Sequence, residues 1–189
     1  RGLNVTIPYK EEIIPYLDKL SKTANKIGAV NCVTISKKKK LKGYNTDYHG
    51  FKKSIKPLLK DHHKKALILG TGGASKAIAY ALRSLKIEYD FVSRTADEFQ
   101  YKYEELDASI FEEYTVIINT TPVGTHPNVD DCPNLDYSLF TKKHIAFDLI
   151  YNPEETAFLR KAKAKGAVTK NGYEMLVLQA EKAWKIWNE

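Results

Sequence analysis

The sequence predicts an α/β protein whose larger part is a Rossmann-like parallel sheet, and three observations carry that expectation. From residue 65 onward a short apolar run (Ala66, Leu67, Ile68, Leu69), a glycine turn, a helical stretch and a second strand-like run (Tyr89, Asp90, Phe91, Val92) succeed one another. That order is the βαβ unit of a sheet buried on both faces. Two further strand-sized runs, 115–119 and 144–148, follow at intervals that leave room for crossovers. Before residue 47 the rhythm is different, so a smaller unit of another kind precedes the sheet.

Taken in order, residues 10–27 carry Ile13, Ile14, Leu17, Leu20, Ala24 and Ile27 at the three-and-four spacing of one apolar helical face. Pro15 falls inside the stretch and divides it into two short helices or one kinked one. Residues 29–35 and 41–44 read as two strands joined at Lys37, Lys38, Lys39 and Lys40, a solvated hairpin tip. Residues 47–59 return to helical spacing at Phe51, Ile55 and Leu58, and 61–65 form a polar linker. The βαβ unit then places a helix over 74–85. A helix over 155–165 ends at Gly166, and a last one covers 173–187.

A chain of 189 residues with 43% hydrophobic and 28% charged residues can bury a substantial core and is neither disordered nor fibrous in composition. No apolar run reaches the roughly 18 residues that a membrane span needs. Cys32 and Cys132 lie far apart without a Cys-x-x-Cys or His-rich partner, which offers neither a zinc site nor a disulfide framework and points to free thiols in the cytoplasm. The net charge of +7 comes mostly from scattered lysines and lacks the interleaved aromatics of a nucleic-acid surface. The chain opens on Arg1-Gly2-Leu3-Asn4 without an initiating Met or signal peptide, and is expected to be a piece of something longer.

Gly70-Thr71-Gly72-Gly73-Ala74-Ser75 follows a strand and opens a helix, the context in which a glycine turn reads as a pyrophosphate cradle. The helix N-terminus adds partial positive charge. Ser75 stands where the fingerprint usually has Gly or Ala, so helix and strand are expected slightly farther apart. At the end of the second strand, where an NAD site carries an acid, the sequence has Ser93-Arg94-Thr95. Arg94 can grip a 2′-phosphate, which favours NADP over NAD.

With those residues in hand, the chain resembles the shikimate dehydrogenase family along its whole length. The blocks Asn4-Val5-Thr6-Ile7-Pro8-Tyr9-Lys10, Gly28-Ala29-Val30-Asn31, Gly43-Tyr44-Asn45-Thr46-Asp47, the glycine turn, Ser93-Arg94-Thr95, Asn119-Thr120-Thr121-Pro122-Val123-Gly124, Asp148-Leu149-Ile150-Tyr151-Asn152-Pro153 and Asn171-Gly172-Tyr173-Glu174-Met175-Leu176 with Gln179 stand in the family's order. The resemblance implies a substrate domain (1–46) that is partial here, a Rossmann-like NADP domain (47–171), and a last helix (172–189) returning to the substrate domain. It implies reversible NADPH-dependent reduction of 3-dehydroshikimate to shikimate. The family's opening strand, helix and Ser-x-Ser pair have no counterpart here, so the piece by itself is expected to be inactive.

The resemblance assigns roles residue by residue. Lys10 and Asp47 are the catalytic pair, and both also bind substrate together with Thr6, Asn31, Tyr151 and Gln179. Gly70, Thr71, Gly72, Gly73, Ala74, Ser93, Arg94 and Thr95 hold the adenine half of NADP, while Thr121, Leu149 and Gly172 line the nicotinamide. Leu149 replaces the family's usual Met, and Ser93 its usual Asn. The second basic residue common after Thr95 is missing, with Asp97 and Glu98 nearby, which weakens the preference for NADP. A lysine ammonium can give a proton during reduction and take one during oxidation, with a carboxylate holding it in place. Proton transfer by Asp47 or by water, with Lys10 only orienting, stays open, as does an N-cap role for Asp47. Two alternatives stand beside this reading: a quinate/shikimate dehydrogenase using either nucleotide, and a non-catalytic nucleotide-binding relative. No metal, nucleic acid or membrane partner is expected, and the chain is expected as a monomer or homodimer.

Overall fold

The structure is a computed structural model describing all 189 residues. Nine strands form two sheets. The first sheet takes β1 (Gly2–Asn4), β2 (Lys19–Leu20), β3 (Cys32–Ile35) and β4 (Leu41–Tyr44) in the order β1-β3-β4-β2. The second takes β5 (Lys65–Leu69), β6 (Glu88–Val92), β7 (Val116–Asn119), β8 (Ile145–Asp148) and β9 (Val168–Lys170) in the order β6-β5-β7-β8-β9, parallel throughout.

The second sheet is a three-layer core whose sides follow from strand alternation. Ala66, Ile68, Val116, Ile118, Ile145 and Phe147 face one way, onto α2 (Asp47–Ile55) and α3 (Gly73–Ser84) through Phe51, Ile55, Ile78 and Leu82. Leu67, Leu69, Ile117 and Ala146 face the other way, onto Phe111 of α4 (Ala108–Glu113) and Phe158 and Leu159 of α5 (Ala157–Lys163). Side chains alternate across a strand, and a sheet covered on both sides is apolar at every position. Each fully buried Ile, Leu or Phe there stabilises the fold by roughly 1.5–3 kcal/mol. The strand order reverses between β5 and β7, and in open α/β sheets the crevice at that reversal, beyond the strands' C-terminal ends, is where ligands bind.

The smaller sheet has a modest core of Val5, Ala24, Val30 and Val33, with Ile13, Ile14, Leu17 and Leu20 against it. The lysine tip is a hairpin turn between antiparallel β3 and β4, as expected. Residues 10–27 depart from the expectation of one or two helices: a 3-10 turn holds Pro15, β2 pairs in parallel with β4, and only α1 (Lys22–Ile27) is α-helical. Pro15 cannot donate within a helix, and the apolar side chains of the intervening run find the hairpin instead. α1 begins at a Ser21 hydroxyl that accepts from Ala24 N–H and ends on Gly28 in the left-handed region. The short β1, α4 and β9 have no clear periodic signature.

The final helix, α6 (Tyr173–Asn188), joins the two sheets. It packs along α2, and at its far end Trp187 Nε1 donates to the Val33 carbonyl of β3 at 3.1 Å. Ile27 and Ala29 of the first unit pack with Ala77 of α3, giving a second apolar seam.

Candidate active site

A cavity of about 600 Å³ opens between the sheets, the size of an ordinary small-ligand cleft. Lys10, Thr6, Asn31 and Asp47 line it from one side, Ala74, Thr121, Leu149, Tyr151 and Gly172 from the other, and Gln179 from α6. Residues from opposite ends of the sequence, Thr6 and Gln179, thus meet in one cleft.

The centre of the cleft is a polar relay. Lys10 Nζ donates to Asp47 Oδ2 at 2.8 Å, and Asn31 Nδ2 donates to Asp47 Oδ1 at 2.9 Å. Asp47 opens α2, where a carboxylate is also favoured by the helix dipole. Asn31 Oδ1 accepts the Thr46 N–H at 2.7 Å, and Gln179 Oε1 lies 3.3 Å from Asn31 Nδ2 and 3.2 Å from the Thr46 hydroxyl. Thr46 is fully buried and was not among the expected site residues; only its place beside Asp47 in Asn45-Thr46-Asp47 hinted at it. Every buried side-chain nitrogen and oxygen in the protein has a partner, so the relay is a finished network. Both charges of the pair are largely shielded from water, which strengthens their interaction over that of an exposed ion pair.

The glycine turn lies at the reversal between β5 and β7. Gly70 has φ +99°, a conformation that other residues rarely adopt, and Thr120 and Thr121 of the loop after β7 crowd its Cα. Nothing lies within 4 Å of the place where a Cβ on Gly72 would stand, so the turn presents open backbone beside the free N–H groups of the first turn of α3. Those features fit a pyrophosphate. Ser75 is buried, and its hydroxyl donates to the Gly72 carbonyl at 2.7 Å, so the turn closes on itself.

Gly70, Thr71, Gly72, Gly73, Ser93, Arg94 and Thr95 stand outside the lined cavity, along the crest of the sheet. Ser93 is buried, and its hydroxyl accepts the Thr95 N–H, so it shapes the turn on which the exposed Arg94 stands. Gly172 has a packing reason as well: a Cβ there would collide with the Leu149 carbonyl, while its own N–H donates to Ile150 O. The Lys10 turn rests directly on the start of α3, where a Cβ on Gly73 would lie 3.3 Å from Lys10 Cβ, and Glu11 pairs with Lys76 one turn further on.

Comparison with known proteins places these features among relatives. Residues 1–33 match the family model described as the shikimate dehydrogenase substrate binding domain. The chain is 40% identical over 202 residues to the shikimate dehydrogenase (NADP(+)) of Carboxydothermus hydrogenoformans, covering 99% of this chain and 72% of the relative. The crystal structure of shikimate dehydrogenase from Aquifex aeolicus superposes with a TM-score of 0.87 at 41% identity, covering 100% of this chain and 72% of that one. The shikimate 5-dehydrogenase of Thermus thermophilus, solved in complex with NADP(H) and shikimate, gives a TM-score of 0.85 at 37% identity, over 99% of this chain and 72% of that one.

Proposed function

The chain belongs to the shikimate dehydrogenase family, and from that membership we propose that it carries out the reversible, NADPH-dependent reduction of 3-dehydroshikimate to shikimate, on the route through chorismate to the aromatic amino acids. Bound NADPH supplies the hydride. Lys10 delivers the proton to the carbonyl oxygen as negative charge builds there, and takes it back in the oxidative direction. Asp47 holds the ammonium in place and, with Thr6, Asn31, Tyr151 and Gln179, orients the ring through its hydroxyl and carboxylate groups. Gly70, Thr71, Gly72, Gly73 and Ala74 cradle the pyrophosphate, Ser93, Arg94 and Thr95 hold the adenosine 2′-phosphate, and Thr121, Leu149 and Gly172 wall the nicotinamide.

In this reading residues 1–46 serve the substrate, 47–171 the nucleotide, and 172–189 tie the two together, in a monomer or homodimer with no nucleic-acid, membrane or metal partner. No helix is long and apolar enough to cross a membrane.

The observation that carries the reading is the Lys10–Asp47 contact of 2.8 Å inside a cleft that the glycine-turn end of a parallel sheet faces. Its test is a spectrophotometric assay of NADPH consumption with 3-dehydroshikimate, and of the reverse reaction with shikimate and quinate against NADP and NAD. Faster reaction with shikimate and NADP is expected. The assay is made with the family's opening strand, helix and Ser-x-Ser pair supplied ahead of residue 1, since the 189 residues by themselves are expected to bind nucleotide and turn over little. Nucleotide binding without turnover of either ring acid in that longer form would refute the reading in favour of a non-catalytic relative.

A further inference from the structure

Asp148 is the one fully buried carboxylate in the protein, and it faces no cation. Such a group is costly unless hydrogen bonds satisfy it, so its partners indicate what it is for. It is the last residue of β8. Oδ1 accepts from the Ile150 N–H at 3.0 Å and from Asn119 Nδ2 at 3.1 Å, and Oδ2 accepts from the Thr156 hydroxyl at 2.6 Å. Asn119 is likewise fully buried, at the end of β7, paired side by side with Asp148. Its Oδ1 accepts both the N–H of Thr121, at 3.0 Å, and the Thr121 hydroxyl, at 2.6 Å.

The chain of bonds therefore runs from Thr156, the N-cap of α5, through Asp148 and Asn119 to Thr121, with a branch to Ile150. Thr121, Leu149 and Ile150 all line the cleft. The Thr121 hydroxyl commits its only hydrogen to Asn119, and its methyl is pressed toward Gly70 of the glycine turn. One buried carboxylate thus sets the spacing of the two loops that flank the place where a nicotinamide would lie.

We propose that Asp148 is a positioning residue for hydride transfer, fixing through Asn119 and Thr156 the loops that carry Thr121 and Leu149 against the nicotinamide. The proposal rests on the dehydrogenase reading above, and its test separates the two. Titrating the full chain with adenosine 2′,5′-bisphosphate reads the crest of the sheet alone, whereas the fluorescence lifetime of bound NADPH reads the order of the nicotinamide. Asp148→Ala should leave affinity for the bisphosphate within about two-fold, yet shorten the NADPH lifetime toward that of the free nucleotide; with the family's opening segment supplied ahead of residue 1 it should also lower kcat by on the order of ten-fold or more, since misplacement by an ångström is enough for such losses.

If removing the carboxylate prevents folding, Thr156→Val and Thr156→Ser decide the matter. Valine should reproduce the shortened lifetime with bisphosphate binding intact, and serine, which keeps the hydroxyl, should restore the lifetime. Equal losses for bisphosphate and NADPH, or an unchanged NADPH lifetime in Asp148→Ala and Thr156→Val, would overturn the positioning role. An unaltered chain that binds the bisphosphate but leaves NADPH fluorescence unchanged would instead overturn the dehydrogenase reading, and the positioning role with it.

Discussion

At the scale of single residues, the proposed reacting centre rests on an ammonium held by a carboxylate that is itself held by an amide. With the family's opening segment supplied ahead of residue 1, Lys10→Ala should lower kcat by on the order of 10²-fold or more while moving the KM for shikimate much less, as expected if Lys10 is a general acid acting in the transition state. Asp47→Asn should also cost turnover heavily, and the double variant should lose less than the product of the two, as expected of groups that act as a unit. A rise in KM with kcat intact would make Lys10 a binding residue. Arg94→Ala should raise the KM for NADP far more than that for NAD; equal changes would remove Arg94 from the 2′-phosphate. That Lys10 and Asp47 meet in one cleft could be expected because each closes a recognisable block. Asp148 and Asn119 stand in equally recognisable blocks, but nothing in a linear order reveals that their side chains bond to each other. Thr46 was missed for the same reason.

At the scale of elements, long apolar runs announced themselves and short ones did not. β5, β7 and β8 are apolar at nearly every position because the sheet is covered on both sides, and α3 and α6 hold their period over 12 and 16 residues. β2 has two residues and β9 three, too few for any periodicity, so their pairing comes from neighbours distant in sequence. α6 starts where Gly172 meets the Leu149 carbonyl without room for a methyl group. Gly172→Ala must therefore push the helix start away from the loop after β8. A drop in Tm of several degrees is expected, since overpacking costs typically about 1–3 kcal/mol, together with weaker NADPH binding. Wild-type Tm and affinity in this variant would show that the loop yields freely.

At the scale of the whole molecule, buried titratable groups oppose one another. His63 and His144 lie near the foot of the parallel sheet, and burial lowers both pKa values below the usual 6.5 against the pull of the carbonyls they face, with Lys60, His62 and Lys143 adding repulsion. The unfolded chain takes up these protons first, so their contribution is complete above pH 6.5 and is lost as pH falls through the folded values. Asp148 behaves in the opposite sense. Burial pushes it up to about 6 from 3.8 despite its three donors, so its contribution is full below 3.8 and lost as pH rises through 6. Asp148→Asn should therefore make Tm fall more steeply than wild type between pH 6 and about 4, and curves of the same slope would contradict this. α6, about 24 Å long, meets Asn31 and Thr46 at Gln179 and ends with Trp187 laid over Gly2 and bonded to β3. One of the two tryptophans thus reports optically on the seating of that helix while Trp184, 65% exposed, supplies a solvent-like background. Any ligand that shifts α6 against the first sheet would disturb the packing of that indole, so emission at the far end of the helix becomes a label-free record of how the helix is seated.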